Sequence, residues 1–539
     1  MWRLYIQLAV PSGREGTIGP TKGRKEMNML QFLRFGLVVA LTLPLVLLSS
    51  EAWAISVFSR KYQTACTTCH FGAFPQLNAF GVAFRDRGYR IPPDDDVYVR
   101  ETPVTMGVEP WKKLFPNAVW PAAIPGLPPL SIHTSSNFTF NPHRRTDTGK
   151  TGFDGVGEVG LLTSGTFGES LSFFGSMALF ESNNFTPSRV AIDRWFFVYS
   201  PQLFGLPLGR VNFQVGRFDP RAAPFRDHVD LLTSGTVPDL ANTWVVVPAS
   251  NFTTFWPNQQ GIELFGGLNG PGGKGGLRWA AGVVNGSPTD LAIEGFGGIN
   301  TFPRLDGLMS VSAVSAAVED KWSGKSDVND AKDFYARLEY KIGGMGVLGS
   351  TTPETSLKMT QNWQDPSVTL GTFFYRGETG AFSDITPVDP TDPDAGVNGD
   401  FRKNANRFWR FGGEATVNWW NIQATGAATF YRDKVAGGVL AFNRAGNKVF
   451  GNNFDTDIYT FKLDYVALPW LIPSFRFENV NPRYDVADWP SFNRYTALLT
   501  ALIRANVKVT LSGVFTDGIQ GERVPALDNF YNLGLQFDF

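Results

Sequence analysis

The sequence predicts a mainly β chain: a transmembrane antiparallel β-barrel of about 16 strands behind a small helical N-terminal segment. Three observations predict it. The first is composition. Of 539 residues, 14% are aromatic, 57 are Gly, and only 18% are charged, against about 25% in an ordinary soluble protein. Mean hydropathy is nevertheless −0.10. Strands that alternate lipid-facing with water-facing residues average out in this way. Second, after Ala54 no apolar run reaches the length of about 18 residues that a spanning helix needs. Third, from about Leu130 onward the chain is a series of stretches with period-2 alternation, split by turn residues. The formal net charge of −1 offers no basic footprint, which excludes a nucleic-acid partner.

Taken in chain order, residues 1–54 have the pattern of a secretory signal peptide. The apolar run from Phe35 to Leu48 follows Lys22, Arg24, Lys25 and Arg34 and precedes the small-x-small site Ala52-Trp53-Ala54. The mature chain is expected to start near Ile55, and Met27 or Met29 is an alternative start.

Residues 55–129 carry the chemistry. The two cysteines of the chain lie in Cys66-Thr67-Thr68-Cys69-His70. This is C-x-x-C-H, the attachment pattern of c-type haem and a strong signal. Two thiols at this spacing form thioethers to the two vinyl groups of one haem, and the adjacent histidine becomes the proximal ligand of the iron. Export supports the reading, because haem is attached after secretion. A thioredoxin-like redox pair is disfavoured, since no βαβ pattern surrounds it. A disulfide across two residues would be strained and stabilise little. After the motif, Pro75 suits a first helical turn and Gly88 the position just past a helix end. Leu77, Phe80 and Phe84 recur at i, i+3 and i+7, giving one apolar face that is expected to cover the haem edge. Residues 90–129 are a Pro-rich linker that cannot hold long regular elements.

Residues 130–539 form the predicted barrel. Clear strands are Leu171–Phe180, Arg194–Tyr199, Val211–Phe218, Ile262–Phe265, Leu277–Val284, Phe334–Ile342, Val368–Tyr375, Phe408–Trp420, Ile422–Tyr431, Ile458–Val466, Phe475–Val480, Tyr495–Ile503, Val507–Phe515 and Phe530–Phe539. Weaker runs at 130–140 and 156–166 bring the count to sixteen, and an even count returns both barrel ends to the periplasmic side. In the last strand Tyr531, Leu533, Leu535, Phe537 and Phe539 alternate with small or polar residues, as in outer-membrane assembly signals. Residues 219–258, 286–329 and 377–404 are expected to be loops. The third contains Asp384, Asp389, Asp392, Asp394 and Asp400, which could collect hard cations but is better taken as a solvated loop.

Signal peptide, one C-x-x-C-H, Phe74-Pro75-Gln76-Leu77-Asn78-Ala79-Phe80-Gly81 and a porin-sized barrel, in that order, resemble the fused monohaem cytochrome–porins of the bacterial outer membrane, whose iron-oxidising members are best known. The specific match runs from Phe58 to Tyr89, and the barrel matches in architecture and approximate length. The resemblance implies one covalent haem c on Cys66 and Cys69 with His70 as axial ligand, held in the lumen or on the periplasmic side. It implies electron transfer from an extracellular donor, Fe(II) in the named branch, to a periplasmic cytochrome, which would make the chain an Fe(II) oxidase. For the distal iron ligand the residues leave two candidates. Met106 is the methionine between the motif and the barrel. His133 shares the expected lumen face with Ser131, Ser135 and Asn137. The alternative function is a diffusion porin with a tethered periplasmic haem carrier or a structural haem plug. A haem peroxidase is disfavoured, because four histidines offer little acid–base chemistry.

Overall fold

In the computed structural model the chain from Leu130 onward closes into one barrel. The structure describes residues 57–72, 75–91, 98–100, 104–105, 113–114, 123–124, 129–142, 150–167, 170–181, 191–201, 208–222, 259–285, 331–349, 361–387, 397–442, 448–484, 491–504, 506–517 and 529–538. In the linker, β1 (Val104–Thr105) pairs with β2 (Ala123–Ile124) as a separate short ribbon. The barrel strands are β3 (Leu130–Phe140), β4 (Thr151–Phe167), β5 (Leu171–Glu181), β6 (Ala191–Tyr199), β7 (Asn212–Phe218), β8 (Gln259–Asn269), β9 (Lys274–Val284) and β10 (Asp333–Met345). They continue with β11 (Ser367–Pro387), β12 (Val397–Trp419), β13 (Ile422–Phe442), β14 (Lys448–Tyr465), β15 (Leu471–Tyr484), β16 (Phe492–Arg504), β17 (Val507–Asp517) and β18 (Phe530–Asp538). All sixteen run antiparallel to their sequence neighbours, and β18 pairs with β3 to close the sheet, so no edge is left unpaired.

Alternation decides what faces lipid. On β10, Phe334, Leu338, Tyr340 and Ile342 are exposed on the outside while Asp333, Tyr335, Arg337 and Glu339 are buried on the inside. On β3, Leu130, Ile132 and Phe138 face out and Ser131 faces in. An apolar exterior on a closed hydrogen-bonded wall is the solution hydrocarbon imposes on strands, and the molecule is a transmembrane β-barrel of the outer-membrane type.

The two ends differ. At one end the connections are short: residues 420–421 join β12 to β13, 466–470 join β14 to β15, and 505–506 join β16 to β17. The other end carries the long segments 219–258 and 285–332. In bacterial barrels the short-turn end is periplasmic.

Two sequence expectations are corrected. Helix α2 spans Ala79–Asp86, not a segment starting at Pro75; α1 precedes it at Val57–Tyr62. Asn78 takes the N-cap, its side chain accepting a hydrogen bond from Gly81 N at 3.0 Å, and this outweighs the preference of proline for a first turn. Leu77 therefore lies outside the helix, paired with His70 in an isolated bridge, and does not share a face with Phe80 and Phe84. Gly88, at φ +67°, does end the helix as expected. The second correction concerns 377–404. Residues 377–387 and 397–404 are the far halves of β11 and β12, with Ser383 opposite Asp400. Asp384 and Asp400 thus lie on strands, while Asp389, Asp392, Asp394, Met106 and Phe539 lie outside the described residues, as do residues 286–329.

The lumen is filled. Facing inward on β11 to β16, Tyr375, Arg410, Tyr431, Ile458, Arg476, Val480 and Phe492 are at most 1% exposed. Walls of a water-filled channel stay wet, so this level of the lumen is closed. At the short-turn end the helical segment enters the lumen, and its Tyr62, Phe80, Phe84, Tyr89 and Ile91 join Phe196, Phe218 and Phe265 of the wall in one apolar cluster.

Candidate functional site

The C-x-x-C-H motif forms one tight turn within this plug. A 3-10 turn covers Cys66–Thr68, and both Cys69 N and His70 N donate to Cys66 O, at 3.1 and 2.9 Å. The two thiols and the imidazole are thereby held together by local backbone bonds. Asn78 then fixes the turn onto α2. Its Nδ2 donates to the carbonyls of Thr67, Thr68 and His70 at 3.0 to 3.1 Å while its Oδ1 caps the helix. The turn packs so closely on α2 that a Cβ at Gly81 would overlap the Cys69 carbonyl oxygen. Neither Asn78 nor Gly81 stood out in the sequence as a site residue. A polar cap directly before an apolar helical run was the signal for Asn78.

Electrostatics suit a metal ligand and two protected thiols. Burial lowers the His70 pKa, which keeps the ring neutral near pH 7. His70 Nδ1 lies 3.2 Å from the Gln76 carbonyl oxygen. The backbone of Pro75 also bonds the ring, and a ring nitrogen tied to a main-chain carbonyl is the usual arrangement that fixes a ligating histidine. Burial pushes the Cys69 thiol up to about 12, helped by neighbouring Cys66, and raises Cys66 as well. Both cysteines are free thiols rather than a disulfide. Two free thiols and an oriented neutral imidazole on one turn are the donor set of c-type haem, and the residues fit that group.

The barrel grips the plug from several strands. Arg278 pairs with Asp86 at 2.9 Å, and Arg221 approaches the same carboxylate at 3.7 Å. Asn212 Nδ2 donates to Asp86 O at 2.8 Å, and Arg87 to Leu348 O at 2.9 Å. Gln76 is fully buried; it donates to Gln423 and to Asp464, and accepts from Lys462 at 3.3 Å. Asn362 Nδ2 donates to Thr68 O at 2.9 Å, within the motif itself. Phe71 packs with Trp363, Val466, Ile472 and Leu498. A cleft separates Phe71, Leu77 and Val82 of the plug from Lys341, Val347 and Trp363 on the facing wall.

On the opposite side, Val57 N donates to Ser131 Oγ of β3 at 3.0 Å. His133 lies two residues along the same lumen face. Its Nδ1 is 2.8 Å from Asp538 Oδ1 and 3.2 Å from Gln536 Nε2 on β18. The Asp538 carboxylate is close enough to act on Cys66 and His70, and Lys508 of β17 acts on His70. The structure thus brings Cys66, Cys69, His70 and His133 to one end of one lumen. Among the described residues no cluster of three or more His, Cys, Asp or Glu has the form of a separate metal site.

No family model matches the chain, and no curated protein matches it in sequence. Solved structures that it resembles include an anion-selective porin from Comamonas acidovorans (10% identity, 76% of this chain and 98% of that one, TM-score 0.44). OmpT, an outer membrane protein of Vibrio cholerae, in its trimer form gives 10% identity over 76% and 98%, with TM-score 0.43. Salmonella typhi OmpF gives 10% identity over 76% and 97%, with TM-score 0.43.

Proposed function

We propose that this chain is a bacterial outer-membrane electron conduit, with one haem c held on Cys66, Cys69 and His70 inside the barrel. The observation that supports the reading is the position of the motif: the C-x-x-C-H turn sits within the lumen, beneath a wall whose side chains are buried. A hydrocarbon layer of about 30 Å insulates a periplasmic carrier from an outside donor, and a barrel lets that donor approach the haem as far as the belt that closes the lumen, leaving only the electron to cross it. Haem c in this position supplies reversible one-electron storage. The chain's own residues do the rest. Neutral His70 offers a ring nitrogen to the metal, and Asn78 and Gly81 hold the attachment turn against α2. The buried belt from Tyr375 to Phe492 keeps solvent and solutes from passing. The short-turn mouth opens the plug to a soluble cytochrome that takes the electron away.

The donor is an extracellular one-electron reductant, Fe(II) first among candidates. Each Fe(II) gives up one electron and remains outside as Fe(III), whose insoluble hydroxides are thereby kept out of the periplasm. The chain would then be an Fe(II) oxidase. The test uses whole cells supplied with Fe(II) in a chelate too large to pass a porin. Haem reduction should run far above the rate in cells carrying Cys66→Ala with Cys69→Ala. Reduction by permeant donors alone, together with porin-sized conductance in planar bilayers, would replace this reading with a diffusion porin bearing a tethered periplasmic carrier.

A further inference from the structure

We infer that His133 is the second axial ligand of the haem and that Asp538 orients it; the inference rests on covalent haem at Cys66 and Cys69. Three observations carry it. The first is direction. Ile132 and Leu130 face lipid, so His133 between Ile132 and Thr134 points into the lumen. The second is location. The N-terminus of α1 is bonded to Ser131 on the same wall face, and Ser59 of that helix hydrogen-bonds the Cys66 thiol. The charge of Asp538, hydrogen-bonded to His133, reaches both Cys66 and His70. His133 and the attachment turn are therefore linked to the same stretch of wall, through Ser131 on one side and Asp538 on the other.

The third observation is the state of the ring. Both hydrogen-bond distances at His133 are made by Nδ1, to Asp538 and Gln536. The nearest acid to Nε2, Glu158, is 3.9 Å away, beyond hydrogen-bond range. Each histidine thus has Nδ1 within hydrogen-bond distance of a protein acceptor, Asp538 Oδ1 for His133 and the Gln76 carbonyl for His70. A carboxylate behind the ring fixes its tautomer and raises its basicity as a ligand. His133 would offer its Nε2 lone pair to the iron while the Nδ1 proton remained hydrogen-bonded to Asp538. Asp538 is a positioning residue, acting on iron only through His133. Two imidazoles, one backed by a carboxylate, hold the potential below that of a His/Met pair.

The test is spectroscopic and needs no electron donor. Purified wild-type protein is expected to be low-spin when oxidised and to lack the methionine–sulfur charge-transfer band. His133→Ala, still carrying covalent haem and still heat-modifiable on gels, should become high-spin and return to low-spin when imidazole is added. His133→Met should gain the methionine band and shift the midpoint potential upward. Asp538→Asn should keep the low-spin spectrum and also shift the potential upward. An unchanged spectrum in His133→Ala overturns the inference, whether the ligand then proves to be Met106, by loss of a methionine band in Met106→Ala, or Lys508. Absence of haem from wild-type protein on a denaturing gel would instead overturn the underlying haem reading.

Discussion

The two sides of the plug are built differently. Toward β7 through β14 the plug is bound by charge and hydrogen bonds: Asp86 to Arg278 and Arg221, Gln76 to Lys462 and Asp464, Arg87 to Leu348 O. Toward β17, β18 and β3 it presents Cys66 and His70 to Asp538, Lys508 and His133. One side fixes position and the other presents reactive groups. Separating the two tasks lets a cofactor be held rigidly without its own ligands carrying the mechanical load.

The largest effect tests the presenting side. Cys66→Ala with Cys69→Ala should abolish covalent haem completely while leaving the barrel heat-modifiable; a haem-stained band in the double variant would break the comparison. Next comes thiol reactivity in protein produced without haem. Raising Cys69 from 9.0 to about 12 lowers its thiolate fraction at neutral pH, and alkylation of the folded protein should be slower on the order of a thousandfold than after denaturation. Because only the thiolate reacts, the folded rate should climb about tenfold per pH unit until pH approaches the shifted pKa. Equal rates before and after denaturation would mean that the turn is not shielded.

The anchoring side should respond in smaller steps. Asp86→Ala removes a carboxylate that is 4% exposed and should loosen the plug by about 3 kcal/mol, the low end for a broken buried pair. Arg278 keeps Glu339 and Arg221 keeps Glu263, which limits the loss. Faster proteolysis within residues 57–91, with β-barrel circular dichroism intact, is the readout. Gly81→Ala should cost about 2 kcal/mol by overpacking α2 against the Cys69 carbonyl, lowering haem incorporation as well as stability. Gln76→Ala should be mildest, at about 1 kcal/mol, because Lys462 and Asp464 still pair at 2.9 Å. An Asp86→Ala variant no weaker than Gln76→Ala would show that the ion pairs do not anchor the plug.

The barrel was legible because lipid imposes one rule on every strand. Phe334, Leu338, Tyr340 and Ile342 alternate on β10 because each must face hydrocarbon. The segment 377–404 was misjudged for want of that signal. In the far halves of β11 and β12 the hydrogen-bonded ladder runs on although the apolar alternation of the sequence fades there. The C-x-x-C-H motif stands out in the sequence because its spacing is local, three residues within five positions, and the structure gathers them on one turn. Its supports do not stand out. Gln76 is held by Gln423 and by Asp464, 388 positions away, and Asp86 by Arg278, 192 positions away. No short-range pattern encodes such pairs. The start of α2 was misjudged because Pro75 and Asn78 both carry helix-start preferences, and only the bond to Gly81 N decides between them.

The seam between β18 and β3 has a consequence for the order of events in making the molecule. His133 and Asp538 face each other as the final pair of that seam, so one comes from the first strand of the sheet and the other from nearly the last residue described. They meet only when the cylinder shuts. The cysteines, by contrast, precede every barrel strand in the chain, and on the proposed function they would emerge from export first, still open to the enzymes that join haem to thiols. On that reading attachment would come first and enclosure second, because a closed cage would bar those enzymes from Cys69. A seam that shut one residue out of register would turn His133 outward to lipid. Under the proposed ligation, correct closure would also complete the iron environment, and a misassembled copy would announce itself by an open coordination position.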